Sequence, residues 1–284
     1  MVTKLNKDLK AAADTKEVAT VTPGAMPAYL KGKEVKSQDW LEASDLILPR
    51  VKLLQGISSE VEAFETAKAG LFWHNILNEV IGPEFSFIVS AYRKKYMLMA
   101  PLSDSRGVLA RAEDGVHWTP PNATFEVKLK GIKETQKWTT KPTVAESRLA
   151  EFGSSVTDDP DSKPAAVLMY EYLIILPDFP QYTGRMPIIM TLARSQAKKA
   201  KDLNSKIEFR GAPLNSMRFK ATVTEESGDE GPYKNYSFLN DGWATEEEFN
   251  RAEDYAKKFG HYRAADDEGA VHEGEPAKAD SKEF

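Results

Sequence analysis

The chain has 284 residues, 41% of them hydrophobic, with 43 acidic against 38 basic side chains and a net charge of −5. That is enough apolar material for one sizeable core, and the lack of any cysteine excludes disulfides, thiolate catalysis and cysteine-ligated zinc or iron–sulfur clusters. No apolar run nears the ~18 residues of a membrane span and the first ten residues lack a signal-peptide stretch, so a soluble intracellular protein without membrane contact is expected.

Residues 1–38 are rich in Lys, Ala and Thr, are broken by Pro23, Gly24 and Pro27, and lack apolar periodicity. They read as a flexible, disordered N-terminal arm. One folded domain is expected over 39–263, beginning with Trp40 and Leu41. Residues 46–56 read as an extended, part-buried segment, because Pro49 disfavours helix at Leu48 and Gly56 closes the run. From Phe85 β-branched and aromatic residues predict strands over 85–91, 92–96 and 97–100. Residues 108–111 and 116–118 flank Glu113-Asp114-Gly115, a hairpin signal. Phe125, Val127 and Leu129 alternate with Glu126, Lys128 and Lys130, as in a half-buried strand.

Thr143 and Glu146 have capping-box spacing and Gly153 is a stop signal, predicting a short helix between them. Residues 165–176 suit a central strand, followed by another over 188–192, and Ser195 can cap a basic helix carrying Lys198, Lys199 and Lys201. Met217, Phe219, Ala221 and Val223 alternate with Arg218, Lys220 and Thr222, a strand that 233–239 can pair with. Thr245 and Glu248 repeat the capping box, and Phe249, Ala252, Ala256 and Phe259 mark one face of a helix ending at Gly260.

Signals for catalysis are missing. The four histidines, at 74, 117, 261 and 272, are too scattered to suggest a metal site, and there is no nucleophile elbow, Walker loop or dinucleotide fingerprint. Asp158, Asp159 and Asp161 lack calcium-loop spacing. Pro160-Asp161 and Glu126-Val127-Lys128 hold the ingredients of a metal-dependent nuclease, but in reversed order, and the alternating strand already accounts for Glu126. A non-enzymatic protein without metal or cofactor is expected.

Charge is distributed unevenly. Residues 91–148 hold eleven basic against six acidic side chains, and 185–220 hold nine against two. Tyr92, Tyr96, Trp118, Phe125 and Trp138 are interleaved with them. Sequence-tolerant binding of single-stranded nucleic acid needs this mixture, since cations follow phosphates while aromatic faces stack on unpaired bases. Arg93, Lys94, Lys95, Lys128, Lys130, Arg218 and Lys220 are the candidate phosphate contacts, and Tyr96, Trp118 and Trp138 the candidate stacking residues. No recognition helix or basic zipper for duplex reading is visible.

Residues 264–284 carry seven acids against two lysines, which accounts for the net charge of the whole chain. So little there is apolar that a disordered tail is expected, with Asp280, Glu283 and Phe284 as a handle for a partner. With the basic strands, the acids Asp266, Asp267, Glu268, Glu273 and Glu275 and the final residues 280–284 resemble the single-stranded DNA-binding proteins of bacteria and tailed phages. Residues 48–56, 69–73 and 85–101 are also similar to a group of phage proteins, a likeness that covers most of the chain.

The first resemblance implies a mainly β, OB-like barrel with peripheral helices, in the cytoplasm of a bacterial host. It also implies binding of single-stranded DNA without sequence preference, and recruitment of replication or recombination proteins through the tail. A homo-oligomer is compatible with this reading. The alternative is a virion or assembly protein, in which the tail serves solubility and the basic strands meet other subunits.

Overall fold

The longest stretch of strand-forming residues, Phe85–Met99, is one 15-residue strand, and the rest of the fold is built on its two edges. The computed structural model describes residues 47–101, 104–183, 186–228 and 231–260. The arm expected over 1–38 and the acidic tail over 264–284, with Asp280, Glu283 and Phe284, lie outside the described residues.

In chain order the elements are β1 (Arg50–Leu53), α1 (Ser59–Ala63), β2 (Phe72–His74), β3 (Glu79–Gly82), β4 (Phe85–Met99) and β5 (Val108–Ala112). There follow β6 (Thr124–Val127), β7 (Gln136–Thr139), α2 (Val144–Ser147), β8 (Ala166–Ile175), α3 (Pro180–Thr183) and β9 (Ile188–Ala193). The last are α4 (Ala197–Phe209), β10 (Met217–Gly228), β11 (Gly231–Trp243) and α5 (Glu246–Phe259). Nine strands form the main sheet, in the order β11-β10-β4-β8-β9-β1-β2-β3 with β5 also on β4, while β6 and β7 pair separately.

Along one edge β4 pairs with β8 over most of its length. Along the other it pairs first with β10, at 85–88, and then with β5, at 96–99. A register shift between Val89 and Ala91 bends it midway. The three separate strands expected over 85–100 are therefore one, because β8 supplies a continuous partner. β1 and β9 run parallel.

The sheet curls into a half-barrel, in keeping with the expected mainly β, OB-like architecture. Its interior holds Phe85, Phe87 and Val89 of β4, Tyr170, Tyr172 and Ile174 of β8, Phe219 and Ala221 of β10, and Tyr236 and Phe238 of β11. These residues alternate along their strands, so each strand turns one face to the interior. α4 contributes Ala200 and Leu203 to this interior, and the Tyr172 hydroxyl donates to the Asn204 side chain at 2.7 Å.

One side chain clasps β11 across the curl. Gln55, just after β1, accepts from the Lys234 backbone N–H and donates to the Lys234 carbonyl, both at 3.0 Å, so its amide stands in for a strand's peptide group on the edge of β11. On the same edge Lys206 of α4 donates to the Phe238 carbonyl at 2.6 Å. These three bonds occupy backbone groups that an edge strand otherwise offers to another chain.

On the outer face α5 packs Ala252, Tyr255 and Phe259 against Ile88, Leu173, Ile175 and Ile189. The expected face named Phe249 and Ala256 instead of Tyr255. Tyr255 takes the place because its ring covers the sheet while its hydroxyl reaches the Thr183 carbonyl at 2.9 Å. Both capping boxes form as expected, at Thr143 and Thr245.

Two helix ends differ from expectation. α2 stops at Arg148, which adopts the left-handed conformation with φ 58°, rather than at Gly153, and α4 has Gln196 at its N-cap position rather than Ser195. Residues 116–118 form no strand, only isolated bridges. A second core joins the ends of β4, β5 and β8 to β6, β7 and α2 through Leu98, Trp118, Val127, Trp138 and Leu149. This lobe and the half-barrel mouth face each other across a cleft. Among the described residues, no helix is long and apolar enough to cross a membrane.

Candidate nucleic-acid interface

β4, β9 and β1 all end, and β8 begins, at one end of the half-barrel, and the cleft opens there with a volume of about 2270 Å3. Its floor includes Val51, Leu53, Met99, Ala166, Leu168 and Ala193. Lys128, Lys130, Lys133 and Lys163 of the lobe form one wall, and Arg50, Lys52, Arg194, Lys201 and Lys234 line the barrel side. Against these nine cations the described lining has one acid, Asp104, and Arg106 binds it.

Carboxylates compensate part of this charge. Lys52 pairs with Glu60 at 2.8 Å, and Lys234 pairs with Glu225. Lys128, Lys130, Lys133, Lys163 and Lys201 are exposed, and none has a carboxylate within ion-pair distance among the described residues. Like charges on a concave, partly apolar surface repel one another and focus a positive potential that an anion from solution relieves.

The cleft rim is held by a latch. Glu226 of β10 takes a 2.7 Å ion pair from Lys199 of α4 and hydrogen bonds from Asn235 (2.7 Å) and Tyr233 (2.9 Å). The Lys199 and Asn235 bonds hold its carboxyl well below the usual range, at about 2. The β10–β11 hairpin, which brings Tyr233 and Lys234 to the cleft, is thereby tied to the first turn of α4.

The sequence-predicted residues divide sharply. Lys128, Lys130 and Trp138 meet in the cleft, but Trp138 is only 5% exposed and its indole N–H donates to the Ser155 carbonyl at 3.0 Å. Trp118, 2% exposed, lies in the lobe core with its N–H on Ser147 Oγ at 3.0 Å. Neither ring offers a face to a base, and their assignment as stacking residues is corrected accordingly. A tryptophan in a basic, strand-rich stretch looks the same in sequence whether it is core or platform.

The basic triplet of β4 is split by the strand's alternation. Lys95, 1% exposed, pairs with buried Glu171 at 3.0 Å, and Arg93 pairs with the same carboxylate from the same face. Lys94 points the other way, with its ammonium 5.2 Å from the ring centre of half-buried Tyr96. Arg218 is held by Asp178, Asp241 and Glu248, and Lys220 by Glu84 at 3.1 Å. Lys95 is therefore no phosphate contact, and Arg93, Arg218 and Lys220 already have their counter-charges. None of these residues, nor Lys94 or Tyr96, lines the cleft.

Missed from the sequence were Lys133, Lys163, Lys201 and Phe152, an apolar side chain on the cleft wall that is 75% exposed. Glu126 is exposed beside Lys137, and among the described residues no group of three His, Asp or Glu side chains is placed to hold a metal ion. His117 pairs with Asp114, and His74 is buried, which depresses its pKa.

The family model described as Pam3 phage gp34-like protein covers residues 16–265. No curated protein and no solved structure matches the chain.

Proposed function

The chain belongs to the Pam3 phage gp34-like family and is a phage protein, and we propose that it binds single-stranded DNA without strong sequence preference during replication or recombination. One observation carries this reading: the cleft at the half-barrel mouth, where nine cations face one acid and five of the lysines lack a carboxylate partner among the described residues. A polyanion is the ligand such a surface fits, because each phosphate both neutralises a lysine and releases counterions. Barrel mouths are also a usual place for binding sites.

A flexible single strand suits a concave cleft with cations on both walls. Neither long helix projects as a groove reader, since α4 packs Ala200 and Leu203 inside the half-barrel and α5 lies on the sheet. Such binding needs no catalytic residue, metal or cofactor. The acidic segment 264–284, with Asp280, Glu283 and Phe284, is the proposed contact to replication or recombination proteins in the host cytoplasm.

The test is a fluorescence-anisotropy titration of labelled oligonucleotides with the full chain at several salt concentrations. Single-stranded DNA should bind at low salt, weaken as salt rises, and bind more tightly than duplex at matched salt. Equal affinity for duplex contradicts the single-strand reading. No binding at low salt favours a virion or assembly protein instead.

A further inference from the structure

We infer that Phe152 is the base-contacting residue of the cleft and the side chain that makes it prefer an unpaired strand, an inference that rests on the nucleic-acid reading above. Phe152 is 75% exposed and lines the cleft together with Lys128, Lys130, Lys133 and Lys163. An isolated exposed hydrophobe is ordinary on a protein surface. This one is distinguished by where it sits and by how firmly the loop beneath it is fixed.

The loop that carries it is fixed from several sides. Arg148, in the left-handed conformation, turns the chain so that Leu149 enters the lobe core while Phe152 faces out. Ser154 Oγ lies 2.8 Å from the Leu149 carbonyl and 2.7 Å from the Glu151 carbonyl, and accepts from the Ala165 backbone N–H at 2.9 Å. The Gly153 N–H donates to the Ser162 carbonyl at 2.7 Å. Gly153 has φ 82°, and a Cβ there would meet the Pro160 backbone at 3.1 Å, so the close approach and the backbone angle both call for glycine. The backbone that carries the ring is thus fixed at the cleft before any ligand arrives, which lowers the ordering cost of using it.

A phenyl ring in a cationic wall adds what lysines cannot. Phosphates are common to single strands and duplexes, so the lysines attract both. A base in a duplex has its faces covered by its neighbours, whereas an unpaired base offers a face to the ring whatever its identity. Phe152 therefore supplies discrimination between strand states rather than between sequences. Trp118 and Trp138 cannot substitute, since both rings are buried.

The experiment compares wild type, Phe152→Ala and Phe152→Trp by anisotropy, using a labelled oligothymidylate and a labelled duplex at low and high salt. Phe152→Ala should lower single-strand affinity about tenfold at both salts, because stacking is not screened, and leave duplex affinity unchanged. Phe152→Trp, which keeps an aromatic face, should bind the single strand like wild type. The inference is overturned if Phe152→Ala binds the single strand normally, if it loses single strand and duplex equally, or if Phe152→Trp fails as Phe152→Ala does. Failure of the wild type to bind either DNA at low salt instead overturns the functional reading beneath it, so the two failures are told apart.

Discussion

The outer face of the sheet and the cleft at its end are both rich in cations, but they use them oppositely. On the outer face Arg93, Lys95, Arg218 and Lys220 each meet at least one carboxylate, and Glu171 is buried between the first two. In the cleft Lys128, Lys130, Lys133, Lys163 and Lys201 have no carboxylate partner among the described residues. Charge spent inside the fold is unavailable to a ligand. Charge left uncompensated on a concave surface raises the local potential and draws anions. A count of lysines and arginines along the chain cannot separate these uses; pairing does.

Breaking the paired side should cost the most. Glu171→Ala leaves Lys95 buried without that carboxylate, and loss of one member of a buried pair destabilises by about 3–5 kcal/mol. Urea unfolding should show this as a lower midpoint, and the DNA affinity of the folded fraction should stay within about twofold of wild type, since neither residue lines the cleft. A normal midpoint would mean that the pair contributes little to the fold.

Reversing the unpaired side should do the opposite. The triple variant Lys128→Glu, Lys130→Glu, Lys133→Glu should lose on the order of 100-fold in single-strand affinity at low salt, and its log–log salt slope should flatten by about 2, near 0.7 for each phosphate contact removed. Its stability should not fall, because repulsion among like charges is relieved. Lys220→Gln, made on the paired face, is the control and should change affinity by less than about twofold.

The smallest effect concerns a pair at the cleft rim. Glu226 titrates at about 2 in the folded chain against an ordinary 4.5, so it is a depressed carboxylate. Its contribution to stability is complete above the unfolded value and is lost as pH falls from about 4.5 through about 2. Wild type and Glu226→Gln should therefore differ in urea midpoint at neutral pH and converge as pH falls through that window. A gap that persists to the lowest pH would remove the ionised latch. Lys199, released by the substitution, should leave DNA affinity unchanged or slightly raised.

Much of the fold was legible because its signals are local. Alternation marked β10, and Thr143 and Thr245 announced their helices through side chains three residues apart. What stayed hidden depends on distant chain. Gln55 clasps Lys234 across 179 residues, β4 is continuous only because β8 runs beside it, and α2 ends on an arginine in a conformation that sequence assigns to glycine. The candidate site was half legible. Lys128 and Lys130 stood out beside buried Val127, but the spent charge of Lys95 and Arg218 is set by partners far away in sequence. Phe152 carried only a faint signal, an aromatic outside every periodic pattern between Glu151 and Gly153.

Ultraviolet crosslinking of a bound single-stranded oligonucleotide, followed by mass spectrometry of the peptides, decides whether the cleft or the outer face receives the strand. Crosslinks are expected within residues 128–133, 150–165 and 194–201, with few at 93–96 or 218–220. Crosslinks concentrated at 93–96 and 218–220, with the cleft peptides unmodified, would contradict binding in the cleft.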